Sequence, residues 1–261
     1  MTAARALPTP PHYRFAGLAV AVAVIVAWAT ALVAALLGVN PGSGTWWADS
    51  LWILLQTWLY TGLFITAHEA MHGLVAPRWP RLNHAIGWFA LFAFAALPYG
   101  RLRAAHMQHH ATPSTRDDPD YHEHLGPPPL FNWMARFLIR YVTLLQLLIM
   151  GSAYWLLHGL AGLSHERLLL FWVAPQMLST FQLFVVGTWL PHREADGHFI
   201  GDGPTKSRTV DVPPALSLLM CFHFGYHYEH HAWPFVPWWR LQRVRGMRAD
   251  EVRDQPTRTS S

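Results

Sequence analysis

The run Leu51–His72, LWILLQTWLYTGLFITAHEAMH, decides the fold. From Leu51 to Ala67 it carries no charge, and it then passes without a break into His68-Glu69-Ala70-Met71-His72. An uncharged run close to ~20 residues is long enough to cross hydrocarbon as a helix. A helix that continues past its apolar stretch places its next residues at the membrane boundary. There His68 and His72, four apart, share one helical face. The sequence therefore predicts a membrane helix that delivers a histidine pair to the boundary.

Working outward, Phe15–Gly38, Tyr141–Leu163 and Leu168–Leu190 are further uncharged runs of similar length. The 261-residue chain is 52% hydrophobic and only 13% charged, where a soluble domain approaches about a quarter. The expected fold is an all-α integral membrane protein with four spans, at about 15–38, 47–67, 141–163 and 168–190. Ala85–Pro98 is apolar but short, and it fits a re-entrant or interfacial hairpin. That choice keeps the histidines at 68–72 and 106–110 on one side of the membrane. The first run is too long for a signal-peptide core and lacks a small-residue cleavage site, so it reads as a retained span. Residues 1–241 form one expected domain, and 242–261 a basic C-terminal tail.

Almost all Lys and Arg fall in the N-terminal tail, in 78–140, and after Leu190. The positive-inside rule then puts both termini and the histidine-rich segments, as a helical cap, on the cytoplasmic side of the membrane. One cysteine, Cys221, excludes an intramolecular disulfide. A chain this apolar points away from nucleic acid.

Two more clusters follow: His106-Met107-Gln108-His109-His110 and His227-Tyr228-Glu229-His230-His231. Both have i, i+3, i+4 spacing, which sets three rings on one helical side. Buried imidazoles at this density are costly without a partner, and eight converging rings have donors for more than one metal ion. Imidazole suits iron, zinc, copper and nickel alike. His68–His72 also matches H-E-x-x-H, the zinc protease pattern with Glu69 as base, but that reading leaves the other two clusters without a role. Two irons use all three. Redox metals at a membrane boundary suggest oxidation of a lipid-soluble hydrocarbon by dioxygen, as hydroxylation, desaturation or ketone formation. A non-enzymatic metal-binding membrane protein is the plainer alternative.

Carboxylates near the clusters are Glu69, Asp117, Asp118, Asp120, Asp196 and Glu229. A metal-bound histidine commonly donates its other N–H to a carboxylate. Asp118 and Asp120 are the foremost candidates for that role, with a turn around Pro119 as the competing explanation. His84, His122, His124 and His198 read as surface or supporting residues. His223, four before His227, is a candidate supporting residue. Arg240, Arg243, Arg245, Arg248 and Arg253 give the tail a charge suited to lipid headgroups or to an acidic electron donor such as ferredoxin.

The chain resembles the membrane di-iron fatty acid desaturase and hydroxylase superfamily, and within it the bacterial β-carotene ketolases. The resemblance is carried by HEAMHG (68–73), RLRAAHMQHH (101–110), DDPDYH (117–122), FVVGTWLPHR (184–193) and LLMCFHFGYHYEHHAWPFVPWWRL (218–241). Glu69 stands where ketolases usually carry Asp. Gly201-Asp202-Gly203-Pro204 lacks the His or Asn that often follows an Asp there. The resemblance implies two Fe2+ and dioxygen. It implies a carotenoid substrate with a β-ionone ring oxidised at ring carbon 4, taking β-carotene to echinenone and canthaxanthin and zeaxanthin towards astaxanthin. It implies a nine-histidine metal set: His68, His72, His106, His109, His110, His192, His227, His230 and His231. A carotenoid 3-hydroxylase and a fatty acid desaturase share the clusters and stand as alternatives. The bacterial inner membrane is the implied location.

Overall fold

The computed structural model describes residues 15–39, 41–42, 46–121, 130–193 and 205–245. These are helical, apart from turns, loops and one isolated bridge between Thr209 and Tyr226. Helix α1 is Ala16–Gly38 and α2 is Trp46–Met71. Next come α3 (Pro80–Ala95), α4 (Tyr99–Ala111), α5 (Leu130–Tyr141) and α6 (Leu144–Gly159). A continuous helix, α7, runs His165–His192 with π-helical turns at Leu169–Val173 and Val185–Trp189. Two short helices, α8 (Pro214–Cys221) and α9 (His227–Ala232), complete the part that bears on the site.

Helix α2 is the axis of the molecule. From Gln56 to Met71 all but Trp58 and Phe64 are buried, against α1, α3 and α7. The outer helices keep apolar faces outward instead: Val22, Val26 and Val33 on α1, and Leu144, Leu148 and Trp155 on α6, are exposed. Such a surface needs a hydrocarbon solvent. Several polar residues inside the bundle are paired. Thr61 Oγ1 lies 2.8 Å from Ser179 Oγ and 3.0 Å from Gln182 Oε1, and Gln176 Nε2 donates to the Phe94 carbonyl. Hydrogen bonds of this kind hold helices together where burial of apolar surface gives little drive.

Three helices are long and apolar enough to cross a membrane: α1, α2 and α7. The count rises to five if each of two bent pairs is one span. The expected re-entrant segment 85–98 is the meeting of α3 and α4, which bend by 104°. The bend follows from Ala96 at φ 53° and Pro98, which cannot continue a helix. The expected third span, 141–163, holds α6, and a break with α5 falls at its first residues. Helices α5 and α6 meet at 88° because Thr143 starts a new helix, its Oγ1 accepting from Gln146 N and its N–H donating to Gln146 Oε1. That capping box is legible as T-x-x-Q, and it overrides the continuous apolar run. The 16-residue α6 is shorter than the run suggests. Near the other end, Leu241 and Val244 are buried against Tyr226 and Trp233, so the chain stays docked past the expected boundary at 241.

Candidate metal centre

Helix α2 ends where its histidines begin to be useful. His72 N–H reaches His68 O at 3.4 Å. Gly73, at φ 77°, then turns the chain, with Gly73 N donating to Ala70 O and Leu74 N to Glu69 O. A glycine just past the last turn is the usual way to close a helix. His68 and His72 thereby face α4 and α9, where the two triads sit one helical turn deep.

The nine histidines of the sequence-derived set converge in two groups. His68, His72, His106, His110 and His230 form one, and His109, His192, His227 and His231 the other; within each, one ligand atom per ring lies within 4.8 Å of the rest. The division is crossed. The i, i+4 pair of α4, His106 and His110, joins the i+3 member of α9, His230. The i, i+4 pair of α9, His227 and His231, joins the i+3 member of α4, His109. Helix α2 completes the first group and the end of α7 the second. The groups abut, with the His110 and His231 rings stacked at 4.2 Å.

Many Nε2 atoms face one another: His72 to His106 at 2.8 Å, His110 to His230 at 2.9 Å, and His231 to both His109 and His227 at 3.1 Å. Both nitrogens of His68, Nε2 of His192 and Nδ1 of His227 are buried without a partner. Orphaned buried nitrogens cost ~1–3 kcal/mol each. Nitrogens bound at ~2.1 Å on adjacent corners of an octahedron stand about 3 Å apart, so a metal ion in each group fits this donor set. Burial, and after it the neighbouring rings, holds His227, His230 and His231 well below the ordinary imidazole range. They are neutral and able to ligate.

The supporting groups divide sharply. Asp118 is buried, and both its oxygens lie 2.9 Å from His109 Nδ1. It also accepts from Ser114 N at 2.7 Å and Asp120 N at 2.8 Å. Burial pushes its carboxyl upward, but the His109 bond and the two backbone N–H groups outweigh it and hold the group below the usual range. His109 therefore turns Nε2 inward. His192 Nδ1 donates to the Lys206 carbonyl at 3.1 Å, which likewise turns its Nε2 inward. Asp120 accepts the Tyr141 hydroxyl, and burial raises its carboxyl.

The other candidates lie elsewhere. Asp117 is exposed, and its backbone carbonyl takes Gln108 Nε2. Glu229 is buried and accepts Thr209 Oγ1 at 2.5 Å. Glu69 accepts Trp238 N at 3.4 Å and stands 3.9 Å from His68 Nδ1. His223, at φ 60°, stacks on Tyr226 and joins neither group. His84 meets Tyr99 Oη at 3.1 Å. His12, His122, His124, Asp196, His198, 201–204, Arg248 and Arg253 lie outside the described residues. The roles of Tyr141, Ser114 and the Lys206 carbonyl had no local sequence signal, because each depends on which distant segment packs against it.

A cavity of about 340 Å³ opens beside the histidines. Its walls are mostly apolar, including Phe64, Phe94, Leu97, Phe137, Met150 and Phe184, and His68, His106, His109 and His227 meet it at one end. Phe224 packs on His68 and His227 at ring distances of 4.8 and 5.2 Å. Gly187 makes room for it: a Cβ there would collide with the Phe224 ring. The π-helical turn at 185–189 brings Gly187 and Thr188 to the cavity wall. Such turns recur at functional sites.

Fold and site define a class: an all-helical protein with membrane-crossing helices and a buried polyhistidine centre at the end of an apolar cavity. The fatty acid desaturase family model matches residues 44–157 and 129–260. A beta-carotene ketolase of Paracoccus sp. (strain PC1) is 42% identical over 198 residues, 72% of this chain and 76% of the relative. A zeaxanthin 4-ketolase of Chlamydomonas reinhardtii is 41% identical over 247 residues, covering 90% of this chain and 54% of the relative. A beta-carotene 4-ketolase of Protosiphon botryoides is 36% identical over 257 residues, covering 91% and 65%. The chain thus spans between half and two thirds of the length of these last two. It belongs to the fatty acid desaturase family, and it is similar there to beta-carotene ketolases.

Proposed function

We propose that this chain is a carotenoid 4-ketolase, oxidising ring carbon 4 of a β-ionone ring to a ketone. The observation that carries the reading is the meeting of an apolar cavity with nine converging histidines in a chain 42% identical to a beta-carotene ketolase. β-Carotene would pass to echinenone and canthaxanthin, and zeaxanthin towards astaxanthin. The five-histidine and four-histidine groups would each hold one iron, and the pair would supply the redox chemistry of dioxygen, which is closed to zinc.

The chain's own residues do the rest. Asp118 and the Lys206 carbonyl fix the tautomers of His109 and His192. The apolar walls take the ring and the first part of the polyene out of lipid and keep bulk water from the oxidised carbon. Two hydroxylations at that carbon, each using one dioxygen, two external electrons and two protons and releasing one water, give a geminal diol that loses water to the ketone. A ferredoxin-type donor supplies the electrons, and the exposed Arg243 lies on a surface suited to an acidic partner. The histidine cap and both termini face the cytoplasm of a bacterial inner membrane, the arrangement that the basic segments favour. Glu69, engaged by Trp238 N and absent from the cavity wall, is poorly placed to serve as the base of a zinc protease.

The test is pigment analysis by chromatography and mass after expression in a bacterium that accumulates β-carotene, with a His110→Ala variant beside it. Carbonyl-bearing carotenoids that vanish in the variant are expected. Hydroxylated pigment without carbonyls, or unchanged β-carotene with the protein present in the membrane, would overturn the proposal.

A further inference from the structure

One pair of polar side chains interrupts the apolar wall close to the histidines. Asp120 and Tyr141 both line the cavity, and both come from outside the histidine clusters: Asp120 from the loop after α4, Tyr141 from the last turn of α5. The Tyr141 hydroxyl donates to Asp120 Oδ1. Among the described residues Asp120 Oδ2 accepts no hydrogen bond, although a carboxylate has room for about four. The Asp120 carboxylate lies within 4.8 Å of donor atoms of His109 and Asp118, so the pair stands at the reacting end of the cavity.

Several other polar residues of the wall are already engaged. Gln176 Nε2 donates to the Phe94 carbonyl, and Thr180 Oγ1 donates to Gln176 O at 2.9 Å. Gln146 Oε1 takes the Thr143 N–H. Asp120 thus brings an acceptor without a described protein donor to a mostly apolar cavity, and a substrate hydroxyl near the oxidised carbon is the group that would satisfy it.

We infer that Asp120 and Tyr141 form a hydroxyl-recognition subsite, which receives a hydroxyl on the ring carbon next to the one oxidised and so sets the preference between hydroxylated and unsubstituted β-rings. The inference rests on the ketolase reading for its substrate class. The substrate hydroxyl donates to Asp120 Oδ2, and Tyr141 holds the carboxylate in place from its other oxygen. A site built to bond a hydroxyl discriminates against the ring that lacks one, because its own polar group is then left unpaired.

Two measurements test this. Membranes carrying the wild-type chain, Asp120→Ala, Asp120→Asn or Tyr141→Phe are given β-carotene and zeaxanthin in parallel, and the ratio of ketolation rates is read. Asp120→Ala is expected to lower the zeaxanthin-to-β-carotene ratio about tenfold or more, the worth of one hydrogen bond to a charged group. Asp120→Asn, which keeps an acceptor, restores part of it, and Tyr141→Phe lowers the ratio less. A ratio unchanged in all variants, or equal losses on both pigments, would overturn the inference by reducing the pair to a structural link between the loop and α5. Retention of each pigment by chelator-treated protein in detergent gives the second readout. Wild-type protein is expected to hold zeaxanthin over β-carotene, and Asp120→Ala to lose that difference; equal retention by both proteins would overturn the subsite. If wild-type membranes ketolate neither pigment while selective retention persists, the ketolase proposal fails and the subsite stands.

Discussion

The two histidine groups sit side by side but are held by different means. The four-histidine group is fixed from behind: Asp118 clamps His109, and the Lys206 carbonyl takes the N–H of His192. The five-histidine group has no such clamp among the described residues. Its nearest carboxylate, Glu69, stands 3.9 Å from His68, and its rings are positioned by packing on one another and on Phe224. One group has fewer rings, two of them oriented by a hydrogen bond from behind; the other has more rings, oriented by crowding. Fewer ligands with tight orientation make every ligand indispensable, whereas a fifth ligand gives redundancy.

The largest effect expected from this contrast is in metal content. His227→Ala leaves three rings in the smaller group, and it should remove one of the two proposed irons and more than a hundredfold of activity. His72→Ala leaves four rings in the larger group and should keep most of its metal while slowing turnover. Mass-spectrometric iron counts on the purified variants check both. Equal iron loss in the two variants would break the contrast.

A smaller effect is expected at the clamp. Asp118→Asn keeps the shape but weakens the pull on His109 Nδ1–H. Loss of such a partner costs roughly 10–100-fold in metal affinity. Competition with a chelator should show that loss for one iron per chain. Weakening of both irons alike would mean that Asp118 supports the whole cap.

The smallest effect is one shared by rings of both groups, with His109 the exception because its bond to Asp118 outweighs burial and raises it. His230 of one group, and His227 and His231 of the other, are held below the ordinary imidazole value by burial. The folded, metal-free chain therefore binds fewer protons than the unfolded chain below about pH 6.5. Stability from these rings is present above that pH and is lost as the pH falls. The lowered carboxyl of Asp118 contributes in the same direction, but its share is lost only as the pH falls below ~4. The Tm of chelator-treated protein in detergent should be level from pH 8 to 7 and should fall by several degrees between pH 6.5 and 5.5. A Tm that rises on acidification would show these rings to be protonated in the fold.

Much of this was legible before any tertiary contact. The runs at 15–38, 47–67 and 168–190 correspond to α1, α2 and α7 within a few residues, because a long uncharged run is a local property with few alternatives. The run at 141–163 corresponds to α6, but composition alone does not register the 88° bend at its first residues, where Thr143 and Gln146 form a capping box. The carboxylates show the same limit. Asp117, Asp118 and Asp120 are nearly equivalent as sequence, yet one is exposed, one clamps His109 and one faces the cavity with Tyr141.

The sequence by itself determined that the chain is helical and membrane-bound, and that the eight histidines of the three clusters gather; the ninth, His192, was legible only through the family resemblance. Charge, apolar length and i, i+3, i+4 spacing act within a helix and need no partner to be read. Only the tertiary structure decided how the nine divide. His109 and His110 are neighbours in the chain but belong to different groups, as do His230 and His231. Adjacent residues on a helix diverge by ~100°, so two triads facing each other must send their pairs and their single members to opposite sides. Which side each takes depends on where α2 and α7 bring His68, His72 and His192, and that is set by packing among helices far apart in sequence.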